Sequence, residues 1–368
     1  MKKKNKKFVI GAATIAIVAV AALLWGGVRE VSSDKPIVKI GVIGPMSGDM
    51  STMGTNCRQA IEFALSRIEN SPVQFKLIVE DDGYMPARAA MAANKLVSVD
   101  RVNALITCSA ISDGSAATIA NRSGTPLIAV NSSVLETATS GKYGFLHWSL
   151  PAAQAKKSMQ LLRENNVRRM VSFVLQHPGA IAIHEGLLEA AKGEIDITTI
   201  SFVGTERNFG PIVDKAMLEK PDMLMILTVS PTADLLMRVI GEKRITTPIT
   251  SIEVPNFVEN KSIFEGMVFV DAAEGDAALI TAYKSKFKTD NTYGVAYAYD
   301  ATMIFARVFG DFWRTHGRIA DSDEVVEAIR GLTGYVGAVG AIKVLPNNLI
   351  ESEAAIKKVV DGKVVVIE

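Results

Sequence analysis

Cysteine and histidine are scarce in this 368-residue chain, which has two cysteines (Cys57, Cys108) and four histidines (His147, His177, His184, His316). Two isolated cysteines do not make a structural zinc site, which takes four ligands. The histidines are scattered, with no His-Glu-x-x-His pair, and His184 beside Glu185 reads as the solvated face of a helix. No G-x-x-x-x-G-K-[ST] phosphate loop and no G-x-S-x-G nucleophile elbow occurs. Gly41-x-x-Gly44 lacks the third glycine of a dinucleotide fingerprint, and the run Gly331, Gly334, Gly337, Gly340 reads as bends beside a strand. An excess of charge is missing too. Of 40 basic and 39 acidic residues, seven and two fall in the first 35, leaving 33 and 37 in a slightly acidic body. Such a body presents no basic face for nucleic acid. An enzyme therefore has no constellation to stand on, and neither cofactor nor metal is expected.

The N-terminus is where the basic charge collects. Lys2, Lys3, Lys4, Lys6 and Lys7 precede Phe8 to Gly27, a stretch of 20 residues without charge. A positive flank and an apolar segment make an export signal, with the positive end kept inside. At this length the segment just spans a bilayer. No small-x-small cleavage site follows Leu24-Trp25-Gly26-Gly27-Val28, so residues 8–27 read as an uncleaved signal anchor on an extracytoplasmic protein. An exported body permits a disulfide, but spacing does not reveal pairing, and Cys57 and Cys108 read as buried free thiols.

From Lys39 the chain alternates strand and helix. Ile40, Val42 and Ile43 form a short apolar run that stops at Gly44-Pro45, and Cys57, Ile61, Ala64, Leu65 and Ile68 then share a helical face. Strands are expected at Val73–Glu80, Ala104–Thr107 and Leu127–Val130, with helices at Ala89–Val99 and Ser115–Asn121. After Pro151 a second set follows, with strands at Met170–Leu175, Ile197–Phe202 and Met223–Thr228 and helices at Ile181–Ala191, Ile212–Leu218 and Ala233–Ile240. Helical stretches at Ala277–Phe287, Val295–His316 and Asp323–Leu332 then break the alternation. Repeated β-α units imply parallel sheets with right-handed crossovers. The expected architecture is a two-lobed α/β fold of parallel sheets flanked by helices, with a cleft between the lobes. Residues 1–35 form the N-terminal segment. Residues 36–149 plus 276–345 form lobe 1, and 150–275 plus 346–368 form lobe 2.

In open α/β sheets small molecules bind at the carboxyl ends of the strands. Three loops of small hydroxyl and amide residues fall there: Met46-Ser47-Gly48, Thr107-Cys108-Ser109-Ala110 and Asn131-Ser132-Ser133. Backbone N–H groups and hydroxyls in such places suit an anionic group such as a carboxylate. Met50 and Met53 lie where an apolar ligand tail would rest. Glu80-Asp81-Asp82 reads as a turn whose acids cap the next helix.

Several segments together carry a resemblance: IGVIGPMSG with its following helix, VEDDGYMPARAA, ALITCSA, GTPLIAVNSS, AYAYDATMIFA, GLTGYVGAVG and the terminal DGKVVVIE. From about Ile37 onward the chain resembles the type I periplasmic solute-binding proteins of the branched-chain amino acid (Leu/Ile/Val) ABC transport family. The resemblance implies two lobes, joined by three crossings, that close on a ligand and pass it to an ABC permease driven by its ATPase subunits. It assigns the ligand carboxylate to Ser109 and to the pair Asn131 and Ser133; Ala110 and Ser132 of the same loops join the expected site. It puts the partner of a ligand amino group at Glu253. The family's acid in the first crossing is replaced here by Pro151, and the aromatic residue at the start of a lobe 2 helix by Ile183. Ser47, Met53 and Ile183 complete the expected site. A membrane-anchored ligand-sensing module is the alternative.

Overall fold

The computed structural model describes residues 35–258 and 260–367; the apolar segment 8–27 lies outside them. Among the described residues no helix is long and apolar enough to cross a membrane.

In chain order the first set is β1 (Ile37–Gly44), α1 (Ser51–Leu65), β2 (Gln74–Asp81), α2 (Pro86–Ser98), β3 (Ala104–Thr107), α3 (Ala110–Ser123), β4 (Leu127–Ala129), α4 (Glu136–Thr139) and β5 (Gly144–His147). The second set is α5 (Pro151–Glu164), β6 (Arg169–Leu175), α6 (Pro178–Ala191), β7 (Asp196–Phe202), α7 (Phe209–Leu218), β8 (Met223–Leu227), α8 (Thr232–Glu242), β9 (Ile249–Ser251) and β10 (Val268–Ala272). Helices α9 (Ala277–Phe287), α10 (Val295–His316) and α11 (Ser322–Arg330) follow. Six short strands close the chain: β11 (Val336–Gly337), β12 (Gly340–Ala341), β13 (Lys343–Val344), β14 (Leu349–Glu351), β15 (Ala354–Val360) and β16 (Lys363–Val366).

Sheet pairing sorts these elements into two lobes. Lobe 1 has seven strands in the order β13-β14-β5-β4-β3-β1-β2, parallel except for β13. Lobe 2 has the parallel sheet β7-β6-β8-β9 and the antiparallel set β10-β15-β16, which meet at an Ile252–Val270 bridge. Late in the chain β14 returns to pair in parallel with β5.

Alternation along β6 shows how lobe 2 is covered on both faces. Val171, Phe173 and Leu175 pack with Phe209, Val213 and Leu236 on one side. Met170 and Val174 meet Met159, Leu162, Ile183 and Leu187 on the other. Successive side chains of a strand point to opposite faces, so a parallel strand buried twice reads as a continuous apolar run. In each sheet the order reverses at one place, between β1 and β3 in lobe 1 and between β6 and β8 in lobe 2. Those switch points leave a crevice at the strand carboxyl ends.

Three expectations about local chemistry are corrected. The cysteines are not free thiols, since Cys57 on α1 and Cys108 after β3 form a disulfide. Close packing at the β1–β3 switch brings them together; a Cβ on Gly44 would stand 2.7 Å from that of Cys108. His184 is not solvated, because it is buried and its Nε2 lies 2.7 Å from the Thr199 hydroxyl. The Asp81-Asp82 pair does not cap α2, whose N-cap residue is Met85. Asp81 instead accepts from the Met46 and Gly83 N–H groups, and Asp82 from the Tyr84 N–H.

Candidate functional site

The loop after β3 begins with Ser109, the buried N-cap of α3. Its hydroxyl lies 2.8 Å from that of Ser112, which in turn donates to Asp82. The serine is thereby held by Ser112 and, through it, by Asp82. The loop after β4 supplies Asn131, in the left-handed region at φ 58, followed by Ser132 and Ser133. Ser132 accepts from the Val134 N–H at 3.2 Å. The Asn131 amide and the Ser133 hydroxyl are buried and have no hydrogen-bond partner in the protein. A buried polar group without a partner costs free energy, so such groups in a crevice are poised for a ligand. Asp113 lies behind these loops, fully buried, and burial pushes its carboxyl up to about 7.

Helix α6 faces them from lobe 2. A Cβ on Gly179 would sit 3.6 Å from that of Ala110, so the first turns of α3 and α6 confront each other. Both turns carry the partial positive charge of a helix N-terminus. Beside them the Tyr84 hydroxyl lies 2.8 Å from Nε2 of His177, the N-cap of α6, and the rings stack.

The crossings bring a second group together. Glu253, after β9, is buried, and its backbone is left-handed at φ 65. Its Oε1 accepts from the Trp148 indole at 2.7 Å and from the Gln154 amide, and its Oε2 from the Tyr293 hydroxyl at 3.0 Å. Burial, with the nearby Asp271 charge, pushes this carboxyl up to about 7. Next to it a cavity of about 790 Å³ opens between Met50, Met53, Trp148 and Tyr293 of lobe 1 and Asn256 and Phe257 of lobe 2.

The expected residues are therefore distributed unequally. Ser109 and Ala110 follow β3, and Asn131, Ser132 and Ser133 follow β4, at the carboxyl ends of neighbouring strands, whereas of the expected residues only Met53 lines the cavity. Ser47 stands apart; it is exposed and donates to Asp81 at 2.6 Å. Ile183 packs into the lobe 2 core with Leu187 and Val174 and leaves the start of its helix to His177, six residues earlier. Tyr84, Trp148, Gln154, His177 and Tyr293 escaped the sequence reading. The N-terminal signal of Pro178 at the first turn of α6 would have pointed to His177. Among the described residues no group of three or more His, Cys, Asp or Glu side chains is placed to hold a metal ion.

A family model described as periplasmic binding protein matches residues 37–363. The chain belongs to the periplasmic binding protein family. Its family is one of extracytoplasmic binding proteins rather than enzymes. Solved periplasmic binding proteins share the two-lobed fold at low identity. A leucine binding protein, LivK, from Thermotoga maritima superposes with a TM-score of 0.81 at 21% identity, covering 90% of this chain and 98% of that one. The branched-chain amino acid transporter substrate binding protein LivJ from Streptococcus pneumoniae, in complex with isoleucine, gives 0.78 at 18%, covering 90% and 99%. A solute binding protein of an ABC transporter from Rhodopseudomonas palustris, in complex with 3,4-dihydroxybenzoic acid, gives 0.76 at 19%, covering 90% and 96%. No curated protein sequence matches the chain.

Proposed function

We propose that this periplasmic binding protein captures a small amino-acid-like or carboxylate-bearing metabolite by lobe closure and delivers it to an ABC permease. The observation that carries the reading is the pair of unpartnered buried groups, the Asn131 amide and the Ser133 hydroxyl, beside the opposed first turns of α3 and α6. Ser109, Ala110, Asn131, Ser132 and Ser133 hold the carboxylate, and Met53 meets the apolar body. A ligand that touches both lobes only when they are closed shifts the population toward closure. Solved relatives in complex with isoleucine and with 3,4-dihydroxybenzoic acid support a carboxylate as the common handle. Thermal shift across amino acids, aromatic acids and aliphatic carboxylates tests this. At least one carboxylate should raise Tm, with the rise lost in Asn131→Ala; no shift with any of them rejects the reading.

Residues 8–27 hold the body at the membrane in this reading, which also admits a ligand-sensing role, because the uncharged stretch is long enough to span. N-terminal sequencing of the membrane fraction decides it. A start at Lys2 or Lys3 supports the anchor, and a start between Val28 and Lys35 removes it.

A further inference from the structure

Strand β2 ends the lobe 1 sheet, and β1 is its one partner among the described residues. The Asp82 N–H donates to the Gly44 carbonyl on the β1 side, whereas the Asp81 carbonyl accepts from the Arg88 guanidinium on the other. Backbone groups alternate in direction along a strand, so Phe75, Leu77 and Val79 turn theirs away from β1. Such an edge is a template for another strand. The side chains of these three residues, with Met46 and Leu65, line a groove of about 730 Å³ against α1. On the opposite face Met91 of α2 is 72% exposed, between Arg88 and Lys95, which both reach β2.

The charges on β2 select what covers it. Lys76 is exposed and has no acid partner among the described residues, while Glu80 pairs with Lys95. In an antiparallel pair of identical strands, residues with outward backbone groups face one another, so the two-fold axis passes through a residue rather than between two. An axis at Lys76 or at Glu80 sets like charges opposite each other, and an axis at Leu77 or at Val79 sets a charge against Ile78. With the axis at Ile78, Lys76 lies opposite Glu80, Leu77 opposite Val79, and Ile78 meets itself. Opposite charges and apolar pairs directly across a sheet stabilise it, and like charges do not.

We propose that β2 is a homodimerisation edge, extended by a second copy of this chain in antiparallel pairing about a two-fold axis at Ile78. Leu77 of each copy exchanges N–H···O bonds with Val79 of the other, and the two grooves join across the axis. The crevice of each copy lies at the strand carboxyl ends, so the two crevices of the dimer point in opposite directions.

Oxidative cross-linking of the full chain in detergent tests the register. Cys57 and Cys108 are joined, so an introduced cysteine is the free thiol of the protein. Residues that face each other in a non-hydrogen-bonded pair have Cα atoms about 4.5 Å apart, within disulfide reach. Ile78→Cys should therefore cross-link to its own copy in high yield, while Gln74→Cys, which faces Asp82 in this register, should not. No cross-link at 78, or equal yields at both positions, overturns the proposal. Sedimentation equilibrium reads the charges. Lys76→Glu should raise the dimer dissociation constant at least about fivefold, and Lys76→Glu/Glu80→Lys should restore it. A wild type that is monomeric at about 100 μM, or a dimer indifferent to Lys76→Glu, overturns the proposal as well.

Discussion

Nε2 of His177 lies 2.8 Å from the Tyr84 hydroxyl oxygen, with the two rings stacked at 5.8 Å, and this contact joins the lobes at the start of α6. His177 Nδ1 accepts the Gly179 N–H, so the proton of the neutral ring sits on Nε2 and is donated to Tyr84. Tyr84→Phe removes that acceptor. A single hydrogen bond contributes about 0.5–1.5 kcal/mol, and weakening the closed state by that amount should lower ligand affinity roughly 2- to 10-fold. Calorimetry with the ligand that stabilises the wild type gives the affinity, and small-angle scattering of the ligand-free variant should show a larger radius of gyration. Unchanged values in both would reject the contact as a closure element. Burial pulls His177 down to about 4 from 6.5. Its contribution is complete above pH 6.5 and is lost as pH falls toward 4.

Asp113 titrates in the opposite sense. Its folded value of about 7 stands above the ordinary 3.8, with burial as the main cause. The stability it contributes is fully present below pH 3.8 and lost as pH rises through 7. Asp113→Asn keeps the shape and removes the charge. The variant should therefore melt higher than the wild type at pH 8, by a few kcal/mol of stability, with the gap closing toward pH 5. Burial raises Glu253 and Asp82 in the same direction, so both add to the slope. Melting curves at both pH values check this, and a gap independent of pH refutes it.

The Cys57–Cys108 disulfide spans 51 residues and fastens α1 to the loop that begins with Ser109. Loop closure over that length corresponds to about 4 kcal/mol in the chain-entropy account. Reduction should lower Tm by several degrees and also weaken ligand binding, because Ser109 is the next residue. Thiol titration verifies reduction; an unchanged Tm in reduced protein would sink the claim.

The α/β alternation is legible in the sequence because doubly buried strands are short apolar runs. Ala104–Thr107 and Val295–His316 coincide with β3 and α10. Helix α3 starts five residues before the expected Ser115, because Ala110 and Gly114 carry no strong apolar period and the start is set by the Ser109 cap. Helix α5 hides behind Pro151, which reads as a boundary but sits in the first turn of the helix. The cysteine pairing and the donors around Glu253 come from segments far apart in sequence: Trp148 from just after β5, Gln154 from α5 and Tyr293 from before α10. No local pattern encodes such meetings. They exist only once two sheets are placed against each other.

Gly294 and Asn131 give the most local test of the crevice. Gly294 caps α10 at φ 73, and a Cβ there would stand 1.9 Å from Asn131 Oδ1. Gly294→Ala has two effects. Left-handed backbone at a non-glycine residue costs about 1–2 kcal/mol, and the methyl group drives the Asn131 amide out of place. Affinity for the stabilising ligand should fall at least about tenfold, with a modest loss of Tm. In the double variant Asn131→Ala/Gly294→Ala the collision is gone, so part of the lost Tm should return while affinity stays low. A single variant that binds like the wild type would show that Asn131 takes no part in holding the ligand. Recovery of affinity in the double variant, which keeps Ala at 294 and lacks the amide, would show that the site needs neither glycine at 294 nor the Asn131 amide.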